Sequence, residues 1–227
     1  MNQSDTHNSE RKAPNSKLIL IIGAGGHGQV VADILLRMMD AGMGVVPMGF
    51  LDDRRDLLGR SLLGIPILGE FRDRNNIQHD ASIVAIGANG DRKAISLLLR
   101  EEGRAFALAR HPGSIIAPDA RAGAGSMICA GSIVNTGSII GEAVILNTGS
   151  TVDHHNEIEN YVHIAPGAHL GGEVVVGEGA LIGIGATVMP GRRIGAWSIV
   201  GAGALVHRDV PERSVVAGVP ARVIRHL

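Results

Sequence analysis

The sequence predicts a small parallel α/β domain followed by a parallel β-solenoid. Three observations carry that reading. An aliphatic or small residue occupies every sixth position from Ile116 to Val206 without a slip. A Gly-rich turn, GAGGHG at residues 23–28, separates an apolar run from a helical one. Between them, strand-like and helix-like segments alternate. A six-residue period fits neither a helix face nor simple strand alternation, and marks a hexapeptide solenoid.

In chain order, residues 1–16 are polar and read as a disordered leader. The α/β domain is expected over 17–110. KLILII at 17–22 forms a buried strand, and a helix runs from about Gln29 to Met39. A second strand covers Met48 to Leu51 and ends in Asp52-Asp53. Ile65 to Leu68 and Ser82 to Ile86 are further strands. Asp91 caps a helix through Glu102, and a last strand lies near Phe106–Ala109. His111-Pro112 breaks the pattern, and the solenoid takes over at 111–209. Sixteen hexads at three strands per coil make about five coils of eighteen residues, stacked at roughly 4.8 Å. Small corner residues shape a triangular prism, and known hexapeptide solenoids wind left-handed. The tail, 210–227, is expected to leave the repeat.

The 227 residues suffice for one large or two small domains. With 45% hydrophobic residues and a net charge of −1, the chain should be soluble and cytoplasmic; no run reaches bilayer length and no signal peptide opens it. Aromatics at 2% and near-neutral charge exclude a nucleic-acid binder. The single Cys129 excludes an internal disulfide and reads as a packed, inert thiol. Charge is uneven: Arg121 alone faces seven acids over 113–190, whereas Arg192, Arg193, Arg208, Arg213, Arg222 and Arg225 outnumber Asp209 and Glu212 in the last stretch. That basic end is either a solvated tail or a site for a phosphorylated ligand.

Two motifs carry chemistry. A GxGxxG turn after a strand and before a helix lets backbone N–H groups approach a phosphate, as in Rossmann-like domains. Asp52, 24 residues past Gly28, stands where ribose or base contacts belong. At about 95 residues the domain is too short for both halves of a dinucleotide fold, so a nucleotide sugar suits it better. The second motif, Val152-Asp153-His154-His155-Asn156, puts His154 at a solenoid corner, pointing outward. A His beside an orienting group is the usual general base for acyl transfer. His163 and His169 are near enough to inward positions to line the same groove. Histidines on stacked coils can also bind zinc, the competing reading.

ILIIGAGGHG, FLDD, AIGAN, ILNTGSTVDHH, VHIAPGAHLGG and VVAGVPARVI together resemble the bacterial nucleotide-sugar and sialic-acid acetyltransferases. These include N-acetyltransferases acting on UDP-linked 4-amino sugars and on GDP-perosamine. The resemblance implies a homotrimer with acetyl-CoA between neighbouring left-handed β-helices, a nucleotide sugar held by the N-terminal domain, and a place in lipopolysaccharide O-antigen synthesis. It makes His154 the base, puts His163 near the acetyl group, and borders the pantetheine arm with Gly172 and Ile184. Gly25, Gly26, His27, Asp52 and Asp53 match nucleotide-sugar contacts. One departure stands out: the residue after the base is commonly Asp or Glu, and here it is His155. Asp153 is the alternative source of negative charge.

The expected activity is acetyl-CoA-dependent N-acetylation of the 4-amino group of a nucleotide-linked 4-amino-4,6-dideoxyhexose. No metal, nucleic acid or membrane partner is expected. The rivals are an O-acetyltransferase acting on sialic acid or a related sugar, a metal-dependent hydratase or lyase, and a binding solenoid without catalysis.

Overall fold

The computed structural model describes residues 16–227, so the polar leader lies outside the described residues except for Ser16. The N-terminal domain is built on β1 (Lys17–Ile22), β2 (Val45–Leu51), β3 (Ser61–Leu62), β4 (Ile65–Gly69) and β5 (Ala81–Val84), with α1 (Gly26–Asp40) and α2 (Asn89–Glu101). Sheet order is β3-β4-β2-β1-β5, parallel apart from the β3–β4 hairpin. The last four residues of β1, Ile19 to Ile22, are all buried, as a strand covered on both faces requires.

The helix α1 begins at Gly26, inside the Gly-rich turn, three residues earlier than expected. Gly28 sits under the carbonyl of Gly23, where a Cβ would come within 2.1 Å of the oxygen, so helix and strand close on each other only through a glycine. Asp91 is not the cap of α2: Ala88 holds that position without a side-chain bond, and Asp91 lies in the first turn, where its charge still suits the helix dipole. The expected strand near Phe106–Ala109 divides between the two domains. Phe106 bridges to Ser82, while β6 (Ala109–Arg110) pairs with Met127–Ile128 of the solenoid, so the solenoid ladder begins at Ala109.

Sixteen two-residue strands follow, β7 (Ile115–Ile116) to β22 (Leu205–Val206), each ending on the residue of the six-residue series. They wind into a left-handed β-helix. Pairing is always to the strand eighteen residues away, as in Ile133↔Thr151 and His163↔Leu181. This makes three faces. The first ends inward at Ile116, Val134, Val152, Leu170, Val188 and Val206, the second at Ala122, Ile140, Ile158, Val176 and Ile194. The third, at Ile128, Leu146, Ile164, Ile182 and Val200, is extended by β6 and by the tail. The tail does not leave the repeat: β23 (Ser214–Gly218) adds to the third face in parallel and turns back through β24 (Ala221–His226).

The inward aliphatics fill one continuous core. The residues two positions earlier are mostly small because they too turn inward at the corner, although Val144, Val162 and Val174 are also buried there; Ser126, Ser132 and Ser138 are buried and donate to carbonyls of Gly141, Asn147 and Asp153. A second core joins the domains, packing Val31, Ile34 and Leu35 with Met127, Cys129 and Ile145 of the third face. Arg92 of α2, wholly buried, fastens this junction. Its guanidinium donates to the carbonyls of Ile86 and Gly87 on one side and of Ala143 and Tyr161 on the other, and to Oδ1 of Asn89.

Candidate active site

The Gly-rich turn, the end of β2 and the end of β5 enclose a cavity of about 430 Å³ lined by Gly25, Gly26, His27, Asp52, Asp53, Arg54, Phe71 and Gly87, among others. All five N-terminal residues singled out in the sequence therefore meet there. Asp52 also braces the turn: Oδ2 accepts from the Ala24 N–H (2.7 Å) and Oδ1 from the main chain and Nε of Arg54 (3.0 Å each). Burial alone would raise its carboxyl, but Arg54 and the two main-chain N–H groups outweigh it and hold the group below the usual carboxylate range. Asp53 accepts from the Phe71 N–H (2.8 Å). Arg54 and Phe71 were missed in the sequence, where only the FLDD acids stand out from a loop of ordinary composition.

His27 projects from this cavity towards His163 on the third face, ring centroids 6.4 Å apart. His163 Nε2 accepts from Asn147 Nδ2 at 3.1 Å, while the ring also bonds the main chain of Gly87. His27 Nε2 is buried and has no partner. Burial and the nearby Arg92 cation push both imidazoles down to about 4, so both are neutral at pH 7.

The second cluster stands elsewhere. His154 and His155 occupy the corner between the first and second faces, and their Nδ1 atoms lie 3.1 Å apart. Asp153 points its carboxylate at the main-chain N–H of His154 (2.8 Å) and at Asn135 Nδ2 (2.8 Å); the Asn135 bond and the His154 N–H hold it below the usual range. The charge of Asp153 is thus spent on the corner backbone, and the ring of His154 is tied to His155. One coil up, Gly172 makes room for this ring: a Cβ there would lie 2.3 Å from His154 Cε1 and 2.5 Å from Nε2. Ile184, 61% exposed, sits at the other corner, between the third and first faces. His169 lies on the first face and bonds Thr151 (2.9 Å), whereas His163 lies on the third.

Within one chain the two clusters are not brought together. Asn147 and His154 flank opposite ends of the first face, on the order of 15–20 Å apart. Among the described residues no three His, Cys, Asp or Glu side chains gather as a metal-binding group. Cys129 is buried, which pushes its thiol up to about 12, and it contributes no nucleophile. At the basic end, His207, Arg208, Asp209 and Arg222 line a smaller cavity of about 200 Å³.

Comparison with known proteins gives consistent matches. Residues 18–97 match the PglD N-terminal domain and residues 173–208 the bacterial transferase hexapeptide (six repeats). The acetyltransferase domain of PglB from Neisseria gonorrhoeae FA1090 is 35% identical with a TM-score of 0.86, over 92% of this chain and 100% of that one, and has also been solved with acetyl coenzyme A. A variant of GDP-perosamine N-acetyl transferase from Caulobacter crescentus, in complex with CoA and GDP-perosamine, is 36% identical with a TM-score of 0.83, over 91% and 96%. Serine acetyltransferase 2 of Arabidopsis thaliana is 43% identical over 76 residues, 30% of this chain and only 24% of that enzyme.

Proposed function

This chain belongs to the nucleotide-sugar acetyltransferase family of hexapeptide-repeat proteins, and we propose that it moves the acetyl group of acetyl-CoA to the 4-amino group of a nucleotide-linked 4-amino-4,6-dideoxyhexose. One observation supports the mechanism: His154 lies beneath Gly172 with its Nδ1 3.1 Å from that of His155, so that Nε2 is the nitrogen left to act as base, beside the backbone that borders the pantetheine arm in this family. The amine attacks the thioester carbonyl, a C–N bond forms and the C–S bond breaks. Nε2 of His154 takes the ammonium proton, and the CoA thiolate leaves. The nucleotide lies in the cavity of Gly25, Gly26, His27, Asp52 and Asp53, where the α1 N-terminus and the turn N–H groups suit phosphate. The neutral His27 and His163 suit a sugar amine, because a charged imidazole would repel its ammonium form.

The separation of the two clusters supports a homotrimer. The first face presents Ile115, Ile133, Thr151, His169, Thr187 and Leu205, with no Asp, Glu, Lys or Arg, whereas the second carries Arg121, Glu157 and Arg193. Packing first faces around a threefold axis sets the His154 corner of one chain against the Ile184 corner of the next. CoA then runs between them towards Arg192 and Arg208.

The test is an acetyl-transfer assay with acetyl-CoA and UDP-, GDP- and dTDP-linked 4-amino sugars. The expected product is an amide that resists hydroxylamine. An ester-forming activity on sialic acid alone would reverse the acceptor assignment, and no transfer to any of these acceptors would reject the reading.

A further inference from the structure

The family's usual carboxylate after the base is absent here, yet the fold supplies one from a distant part of the chain. Residues 119, 137 and 155 are eighteen apart, so they stack at one corner on successive coils. The middle step is empty. Gly137 has no side chain, and the Cδ2–Nε2 edge of His155 occupies the vacant space, 2.5 and 2.9 Å from where a Cβ would be. Gly137 donates its N–H to Oδ2 of Asp119 (2.9 Å), and the Thr136 hydroxyl donates to the same oxygen (2.7 Å). At several other corners the equivalent N–H goes to a main-chain carbonyl of the coil below, as from Gly149 to Ala130 and from His155 to Thr136. Here the carboxylate has taken that place, under the edge of His155 that faces away from His154.

We propose that Asp119 is a positioning residue for the base, acting on His154 through His155. The chain of contacts fixes the tautomers. A carboxylate on the Nε2 side of His155 keeps the proton there, which leaves His155 Nδ1 as an acceptor. His154 must then carry its proton on Nδ1 and present a bare Nε2 to the amine. As His154 gains a proton, the negative charge two coils below stabilises it through His155. The Thr136 hydroxyl first, then the main-chain N–H groups of Gly137 and Asp119 itself, and last the neighbouring His155 ring hold the Asp119 carboxyl below its usual range. The nearest other charged side chains at this corner are Asp153, committed to Asn135 and the backbone of His154, and Glu173, one coil above His155, with Arg192, Arg208 and Asp209 on the coils beyond.

This inference rests on the acetyltransferase reading, and its test has two arms. The first is Asp119→Asn, which keeps an acceptor for the Gly137 N–H. The expected result is a fall in kcat of about tenfold with KM for both substrates nearly unchanged. The acid limb of the pH–rate profile should move to lower pH, because loss of an anion disfavours the protonated base. Asp119→Glu should restore both in part. In a His155→Asn background, Asp119→Asn should cost nothing more. An unmoved acid limb, or full additivity with His155→Asn, would overturn the proposal even if activity fell, since either marks a merely structural effect. The second arm needs no substrate. Nitrogen NMR of labelled histidines should find the proton on Nδ1 of His154 and Nε2 of His155 in the native chain, and a changed His155 tautomer balance in Asp119→Asn. Unchanged spectra would reject Asp119, whereas absence of acetyl transfer in the native protein would reject the enzymatic reading alone.

Discussion

Two glycines decide where His154 and His155 can stand. Gly172 and Gly137 open slots above and below one corner, and His154 leans into the first while His155 leans into the second. His155 itself holds φ of 56°, the left-handed conformation that glycine fills at most corners. A methyl at 172 cannot coexist with the ring of His154 as it lies, so Gly172→Ala should lower kcat by roughly tenfold to a hundredfold through misplacement of the base. Steady-state kinetics with a circular-dichroism check of the fold measures this. His154→Asn should cost at least about two decades in kcat while leaving CoA affinity and assembly intact. Buried histidines give a different signature. His27 and His163 are neutral in the fold at pH values where the unfolded chain already binds protons, since burial lowers both from 6.5 to about 4. Each therefore removes stability as pH falls from about 6.5 towards 4. The thermal midpoint should drop by several degrees across that window, and His27→Asn with His163→Asn should flatten the slope. Asp153, whose carboxyl is held low, contributes its stability above the ordinary carboxylate range and loses it only at more acidic pH, so the two effects separate.

The elements divide into those a periodic sequence can announce and those set by tertiary context. Every inward residue of the sixteen short strands was legible, because the prism repeats at eighteen residues and a single slip would turn an aliphatic side chain to water. The Gly-rich turn and its acids were legible for the same reason, being local chemistry between a strand and a helix. What escaped was long-range. The strand at Ala109 looked like the end of the α/β sheet because nothing local says which ladder it joins. The tail hairpin hid because its pairing partner is a solenoid face, and Asp119 hid because its hydrogen-bond partners, Thr136 and Gly137, lie a whole coil further on. Arg92 was invisible in the same way: within α2 it reads as one more exposed basic residue, yet it is wholly buried between domains. Replacing it by Leu would strand several buried carbonyls, at a cost of about 3 kcal/mol or more. Arg92 also anchors the 86–89 loop, whose Ile86 and Gly87 line the candidate nucleotide cavity. Arg92→Leu should therefore lower the thermal midpoint and raise KM for the nucleotide sugar more than for acetyl-CoA.

At the scale of the whole molecule, an unbroken solenoid has no long loop with which to build a site over its own surface. The candidate nucleotide cavity is lined by the N-terminal domain, with His27 facing His163 of the third face, while the candidate base stands at the far end of the first. If neighbouring chains complete each other, two differently damaged chains should repair one another. His154→Asn removes the base but leaves the cavity whole. Gly25→Phe should obstruct the cavity but spare the base; a Cβ at Gly25 meets nothing within 4 Å, so the side chain can leave the backbone there without a clash at its first atom. Each variant alone should be nearly inactive. Mixed in equal amounts under conditions that let subunits exchange, a working site forms wherever an intact base from one chain faces an intact cavity from the next. For random assortment that combination arises at one interface in four, so activity should recover to about a quarter of the native value. Separate mixing without exchange provides the baseline. Recovery requires one intact residue set from each chain, because no chain in the mixture carries both. A single-chain site would leave the mixture as inactive as its parts. A charge placed on the first face, as in Thr151→Arg, should abolish the recovery together with the assembly, with light scattering reporting a folded monomer.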